Sequence, residues 1–199
     1  MEARIKLADN YKAQNNLKNR QFWLRQIIKQ NKVGDVTERG NFLAANAALE
    51  LAEPSYLEYR RVHLVQPLKK NLKKKKKLLK DSVDAYTEAA NYGVAEVATA
   101  ATFRIAEIYA EFSKGLFGSE RPPGLSGDAL EEYEGLLEEQ AFPFEEKAIE
   151  IHETNASRVA DGIYDKWVKE SIKALSKLKP VRYAKVERSE KMTNELGNI

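Results

Sequence analysis

The chain has 199 residues, and its 43% hydrophobic and 32% charged residues exclude a wholly disordered protein. The formal net charge is only +3, because 33 Lys and Arg nearly cancel 30 Asp and Glu. Cysteine is absent, which excludes disulfides, thiolate metal sites and cysteine nucleophiles. No stretch reaches the roughly 20 apolar residues of a membrane span, so membrane insertion is not expected.

Helical spacing of apolar residues predicts the first elements of the chain. One apolar stripe runs from Ile5 to Tyr11 and a second from Phe22 to Ile28. The third segment, "NFLAANAALELAE", is rich in alanine, which suits close helix packing, and we expect Pro54 to end it. Ser55 then fits the N-cap position of a further helix.

The middle of the chain continues in the same pattern. Pro67 suits the first turn of a helix whose apolar stripe runs from Leu68 to Ala90 and lapses only around Lys75 and Lys76. The segment "VAEVATAATFRIAEIYAEFSKGLF" is the most strongly helical and most apolar of the chain. A loop is predicted within residues 115–127, because "GSERPPGLSG" contains a pair of prolines and several glycines.

The last third predicts an acidic helix, "DALEEYEGLLEEQAF", and then one long helix from about Pro143 to Leu178, ended by Pro180. Residues 186–199 lack a sustained apolar face, which predicts a frayed tail. Strand alternation is absent from the sequence. We therefore expect an all-α fold of about seven or eight helices that forms a single domain over residues 1–185.

Antiparallel helix pairs in this order suggest a repeat. The first thirty residues place large and small side chains where a tetratricopeptide unit has them, at Leu7, Ala8, Tyr11, Leu24 and Ile27. "FRIAEIYAEF" repeats the first-helix part of that pattern. The chain therefore resembles a degenerate tetratricopeptide array, and the resemblance implies a right-handed solenoid of helix pairs. An irregular helical bundle with the same pair packing is the alternative.

Residues 130–185, from "LEEYEGLLEEQAF" to "KLKPVRYAK", resemble the C-terminal end of large bacterial tetratricopeptide proteins that are assigned to TonB or gliding-motility systems. That family supplies no catalytic residues to transfer. The resemblance implies an assembly role in the cell envelope and a periplasmic location. Because the N-terminus lacks the apolar core of a signal peptide, the periplasmic expectation applies to a fragment of a longer protein, and a cytoplasmic location is expected otherwise.

The stretch from Lys69 to Lys80 contains eight lysines and no acidic residue. Its helical spacing predicts a lysine face, of which Lys73, Lys76, Lys77 and Lys80 are the candidate contact residues for an acidic protein surface. A solvated helix face is the simpler reading. Binding of nucleic acid or another polyanion is the alternative function, although the run lacks the arginines and aromatic residues that such sites use. It also lacks the bulky apolar face of a membrane-surface helix.

Most aromatic residues fall on apolar stripes, where helix packing explains them. Tyr56 and Tyr59 are further candidates for partner contact. "FPF", residues 142–144, lies at an expected helix junction, where its rings either staple adjacent helices or present a contact surface, and Phe144 is the third aromatic candidate.

Catalytic and metal-binding motifs do not emerge. "IHETN" begins like the zinc-peptidase motif HExxH, but Ala156 stands where the second histidine is required. The glutamates between Leu130 and Gln140 read as a solvated helix face, and an enzyme with a carboxylate site among the helices is the rival from another class. We expect no cofactor and no metal. The sequence predicts a non-catalytic protein–protein interaction or scaffold module of a cell-envelope assembly.

Overall fold

The computed structural model describes residues 1–34 and 36–184, and within them it contains helices and no strand. The helices are α1 (Glu2–Ala13), α2 (Leu17–Val33), α3 (Glu38–Arg61), α4 (Leu68–Ala90), α5 (Ala95–Phe117), α6 (Asp128–Ser157), α7 (Lys166–Leu178) and α8 (Pro180–Tyr183). A short 3-10 helix, Arg158–Asp161, follows α6. The prediction of an all-α fold with seven or eight helices is confirmed. The predicted tail, residues 186–199, lies outside the described residues.

Each helix packs against the next one along the chain, from α1 to α8. The odd-numbered helices also meet one another in succession, since α3 contacts α5 and α5 contacts α7. Helix α5 occupies the centre of this arrangement, because it touches α3, α4, α6 and α7. Its small residues, including Ala101 and Ala106, are fully buried, and they let the neighbouring helices approach closely.

The buried apolar residues form two clusters. The smaller cluster joins α1, α2 and α3 through Ala8, Leu24, Ile27 and Leu43. The larger cluster joins α3, α4, α5 and α6 around buried aromatic rings and small residues, among them Tyr56, Tyr59, Tyr86, Phe112 and Ala141. The apolar stripes that predicted the helices are therefore the faces that form the core.

Helix α3 does not end at Pro54, contrary to the sequence-based expectation. It continues to Arg61 as one helix, and Ser55 lies inside it rather than at an N-cap. Pro54 is exposed, while Ala52 and Tyr56 on either side of it are buried in the larger cluster. Burial of both flanks offsets the hydrogen bond that proline removes from the helix.

The expected break at Pro143 and the expected long helix to Leu178 are also wrong. Pro143 lies inside α6, which continues to Ser157. The chain breaks instead at Gly162, which has a φ of 78°, a left-handed conformation that favours glycine. Asp165 then caps α7, because its carboxylate accepts hydrogen bonds from the backbone N–H groups of Trp167 and Val168.

Lys75 is the one lysine of α4 that the structure buries, with 6% of its surface exposed. Its ammonium group donates hydrogen bonds to the carbonyl oxygens of Tyr59 and Val62, at the C-terminus of α3. It also lies 4.2 Å from the centroid of the Tyr59 ring. Desolvation lowers the pKa of Lys75 from its usual value. The apolar stripe of α4 is therefore interrupted by a buried lysine that makes a specific polar contact with α3.

Candidate functional site

A groove of about 590 Å³ opens on the side of the molecule where the odd-numbered helices meet. Residues of α1, α2, α3, α4, α5 and α7 line it. Helix α3 contributes most of one wall, from Leu49 to Arg61, and α2 contributes the part that includes Leu17 and Leu24. The volume lies within the range of about 300–1,000 Å³ that is usual for ligand sites.

The wall of the groove carries apolar side chains that are open to solvent. Leu17 is 60% exposed and Leu57 is 43% exposed. The ring of Trp167 lies at the α7 end of the groove. Because exposed leucines on a groove wall lose contact with water when a ligand covers them, they provide a hydrophobic contribution to binding.

Arg104 is the central cation of the groove. Its guanidinium carbon lies 5.3 Å from the centroid of the Tyr56 ring and 5.5 Å from that of Trp167. Stacking on the two rings holds the side chain in place. Within residues 1–34 and 36–184, no carboxylate oxygen lies within 4.0 Å of it. Arg104 thus presents a fixed positive charge that the described part of the chain leaves without an acidic partner.

Some of the other charged side chains of the groove have polar partners and others have none among the described residues. Arg20 forms an ion pair with Glu50, and Glu53 accepts a hydrogen bond of 2.8 Å from the hydroxyl of Tyr86. Lys12 and Arg61 also line the groove, and neither forms an ion pair within the described residues. Cations therefore outnumber carboxylates on the lining, which favours an anionic ligand.

Two of the aromatic candidates from the sequence, Tyr56 and Tyr59, lie in the core. Tyr56 is 3% exposed, and its hydroxyl donates to Glu111 at 3.1 Å. Tyr59 is 0% exposed, and its hydroxyl donates to the carbonyl oxygen of Ile108 at 2.9 Å. Burial raises the pKa of both hydroxyls. The structure therefore places neither ring on a contact surface, although the guanidinium group of Arg104 stacks on the ring of Tyr56.

Phe144, the third aromatic candidate, staples α6 to α5. Its ring centroid lies 4.5 Å from that of Phe112 in an edge-on arrangement and 6.4 Å from that of Tyr109. The exposed ring of the "FPF" segment is Phe142, with 58% of its surface in solvent. The sequence left open whether these rings staple adjacent helices or present a contact surface, and Phe144 packs between the helices.

The four lysine candidates, Lys73, Lys76, Lys77 and Lys80, are all exposed on α4. Lys77 donates to Asp81 at 2.5 Å, and this contact raises its pKa. The other three form no ion pair with any carboxylate of the described residues. They lie away from the groove, to which α4 contributes Tyr86. The lysine face and the groove are therefore two different surfaces.

His152 is fully buried beside Phe103, with 5.7 Å between the ring centroids. Its Nε2 lies 3.7 Å from a carboxylate oxygen of Glu107, and this contact holds the pKa of Glu107 below its usual value. In the part of the chain that the structure describes, no three His, Asp or Glu side chains come together to hold a metal. The polar groups that do converge, those of the groove, are suited to binding a charged ligand.

The residues that form the groove are far apart in the sequence, from Lys12 to Trp167. Nothing in their local sequence distinguishes them, since single leucines and arginines occur throughout the chain.

Among the described helices, none combines the length and apolar character that crossing a bilayer requires. The chain matches no family model, no curated protein and no solved structure.

Proposed function

We propose that this protein is a non-catalytic protein-binding module that takes an extended peptide segment of a partner into the groove. The observation that carries the proposal is Arg104, a cation that stacks on two aromatic rings in a groove with exposed leucines and forms no ion pair with the described residues. A peptide carboxylate on Arg104 gains a charge-assisted hydrogen bond, and apolar side chains beside it cover Leu17 and Leu57.

The contacts of α5 with α3 and with α7 support a tetratricopeptide-like stack of the described helices. In such a stack, one helix of every pair faces the same side, and α3, α5 and α7 all contribute to the groove. An extended peptide suits this arrangement, because the groove crosses several helices. The resemblance of residues 130–185 to envelope-assembly proteins supports a scaffold role in the periplasm as the setting for this binding.

The test is selection of short random peptides displayed on phage against the purified chain, followed by affinity measurements on the enriched peptides. We expect these peptides to combine Asp or Glu with neighbouring apolar residues. Arg104→Met keeps the length of the side chain and removes its charge. It is expected to weaken binding by about tenfold, since a partly buried ion pair contributes about 1.4 kcal/mol.

Lys29→Met is the matched control, because Lys29 is an exposed cation that does not line the groove. This variant loses the same charge and is expected to bind the peptides like the wild-type chain. Leu57→Ser tests the apolar part of the groove independently of charge, with a smaller loss expected. Enriched peptides that bind all four proteins equally would refute the groove as the site.

A further inference from the structure

A second surface of the molecule, separate from the groove, carries an array of positive charges. Seven lysines of α4 are exposed, and we call them the lysine surface: Lys69, Lys70, Lys73, Lys74, Lys76, Lys77 and Lys80. Only Lys77 has an acidic partner within the described residues. At a rise of about 1.5 Å per residue, the array is about 16 Å long. Like charges this close repel one another, so an acidic partner stabilises the surface.

The first half of α6 carries the opposite charge. Five of its exposed carboxylates have no ion pair within residues 1–34 and 36–184, and we call them the acidic surface: Asp128, Glu131, Glu132, Glu138 and Glu139. Glu134 is different, because it binds Arg121 at 3.1 Å. No residue from 128 to 140 is buried. The acidic surface is also about 16 Å long.

The two surfaces do not satisfy each other within one molecule. None of the ion pairs formed by the described residues joins α4 to α6. The lysine surface and the acidic surface are therefore both available, on helical segments of about equal length. In a solution of this chain they are also present at equal concentration.

Other partners fit the lysine surface less well. Helix α4 contains no arginine for bidentate phosphate contacts, and its one aromatic ring, Tyr86, is buried. The exposed positions of this helix carry Lys, Asp, Thr and Glu, without the Trp, Phe or Leu that anchors a helix in a membrane interface. The partner chemistry that remains is a protein surface that carries carboxylates at helical spacing.

We infer that the lysine surface of one copy docks on the acidic surface of a second copy. The contact joins two different surfaces, so a pair of copies keeps one lysine surface and one acidic surface free, and further copies can add. Exposed ion pairs contribute little individually, which makes the association weak and dependent on ionic strength. The groove is not part of this contact, and the inference does not depend on the proposed peptide binding.

The experiment is sedimentation velocity across a range of protein concentrations, at about 0.01 M and about 1 M salt, where the screening lengths are about 30 Å and about 3 Å. At low salt we expect the average mass to rise with concentration above the monomer mass of 22.6 kDa. At high salt we expect the monomer alone. A wild-type chain that remains monomeric at low salt would overturn the inference, and binding of heparin by that monomer would assign the lysine surface to polyanions.

Charge reversal tests the two surfaces separately. Replacing Lys73, Lys76 and Lys80 by Glu is expected to reduce the association constant by more than about tenfold, because several attractive contacts become repulsive. Replacing Glu131, Glu138 and Glu139 by Lys is expected to do the same. The control replaces the exposed lysines Lys6, Lys18 and Lys29 by Glu, which changes the net charge equally and leaves both surfaces intact.

Combining both reversals in one chain restores the net charge of +3 but leaves both surfaces weakly positive, because four lysines remain beside three new Glu on α4 and two carboxylates remain beside three new Lys on α6. Because this double variant has the wild-type net charge but no attraction between its two surfaces, we expect it to stay monomeric at low salt. A double variant that associates like the wild type, or a control variant as defective as the lysine reversals, would show that the two surfaces do not meet. Circular dichroism of each variant verifies that its helices are intact.

Discussion

The ammonium group of Lys75 donates a hydrogen bond of 2.8 Å to the carbonyl oxygen of Val62. A second bond of 3.2 Å goes to the carbonyl oxygen of Tyr59. These carbonyls lie at the C-terminus of α3, where the helix dipole favours a cation. One lysine of α4 thus caps the preceding helix and joins the two.

Replacing Lys75 by Met is expected to lower the free energy of unfolding by about 2–3 kcal/mol. The apolar stem is retained, but two buried carbonyl oxygens lose a charged donor. Urea unfolding followed by circular dichroism measures the change. Lys76→Met is the control, because Lys76 is exposed, and its effect is expected to stay within about 0.5 kcal/mol. Equal midpoints for the two variants would contradict the capping role.

Alkaline pH is expected to destabilise the protein through its buried tyrosines. Burial, reinforced by a hydrogen bond to Glu53, raises the pKa of Tyr86 in the folded state. The unfolded chain releases this proton near pH 10, while the folded chain retains it. The contribution to stability is therefore complete below about pH 10 and is lost as the pH rises above it.

The comparison of wild type and Tyr86→Phe isolates this effect. Between pH 10 and pH 11 we expect the wild type to lose up to about 1.4 kcal/mol more than the variant, since one proton accounts for that amount per pH unit. Urea unfolding at several pH values provides the free energies. Parallel losses for the two proteins over this interval would count against a raised pKa for Tyr86.

Asp165 is expected to be the polar residue that fixes α7 to α5. It caps α7 through bonds of 2.9 and 3.0 Å, and it also accepts a 2.5 Å hydrogen bond from the hydroxyl of Thr99. Asp165→Ala removes all three and is expected to lower the melting temperature, with a loss of about 1–2 kcal/mol from the cap alone. Asp161→Ala, at an exposed position in the 3-10 helix, serves as the comparison, and a similar loss there would argue against the specific role.

Pro54→Ala is expected to stabilise the fold. Alanine restores the backbone N–H to an exposed position in the middle of α3, and proline costs up to about 3 kcal/mol in a helix interior. We expect a higher urea midpoint for this variant. Pro123→Ala, in the loop between α5 and α6, is the control and is expected to give no gain, because proline suits a loop. An unchanged or lower midpoint for Pro54→Ala would show that α3 requires its proline.

The helical class was predictable because apolar residues recur with the helical period along most of the chain. Helix boundaries were harder to predict, and the two interior prolines show why. The effect of proline on its own turn is local, whereas burial of Ala52 and Tyr56 around Pro54, and of Ala141 and Ala148 around Pro143, depends on other helices. Tertiary packing outweighed the local signal at both places.

The candidate surfaces were predictable only in part. The exposure of Lys73, Lys76, Lys77 and Lys80 follows from their helical spacing and is observed. Lys75 also follows the spacing, since it lies three residues after Leu72 and four before Leu79, but nothing in a run of lysines indicates a carbonyl partner in another helix. The groove could not be predicted, because its walls come from helices that only the fold brings together.

The proline inside α3 has a consequence for any chain that enters the groove. Proline supplies no N–H, so the carbonyl oxygen of Glu50, one turn earlier, has no intrahelical donor at the usual position. Glu50 and Pro54 both belong to the groove wall. In the proposed complex, a backbone amide of the bound peptide would donate to this carbonyl oxygen whatever the side chains of the peptide, while Arg104 would select acidic residues.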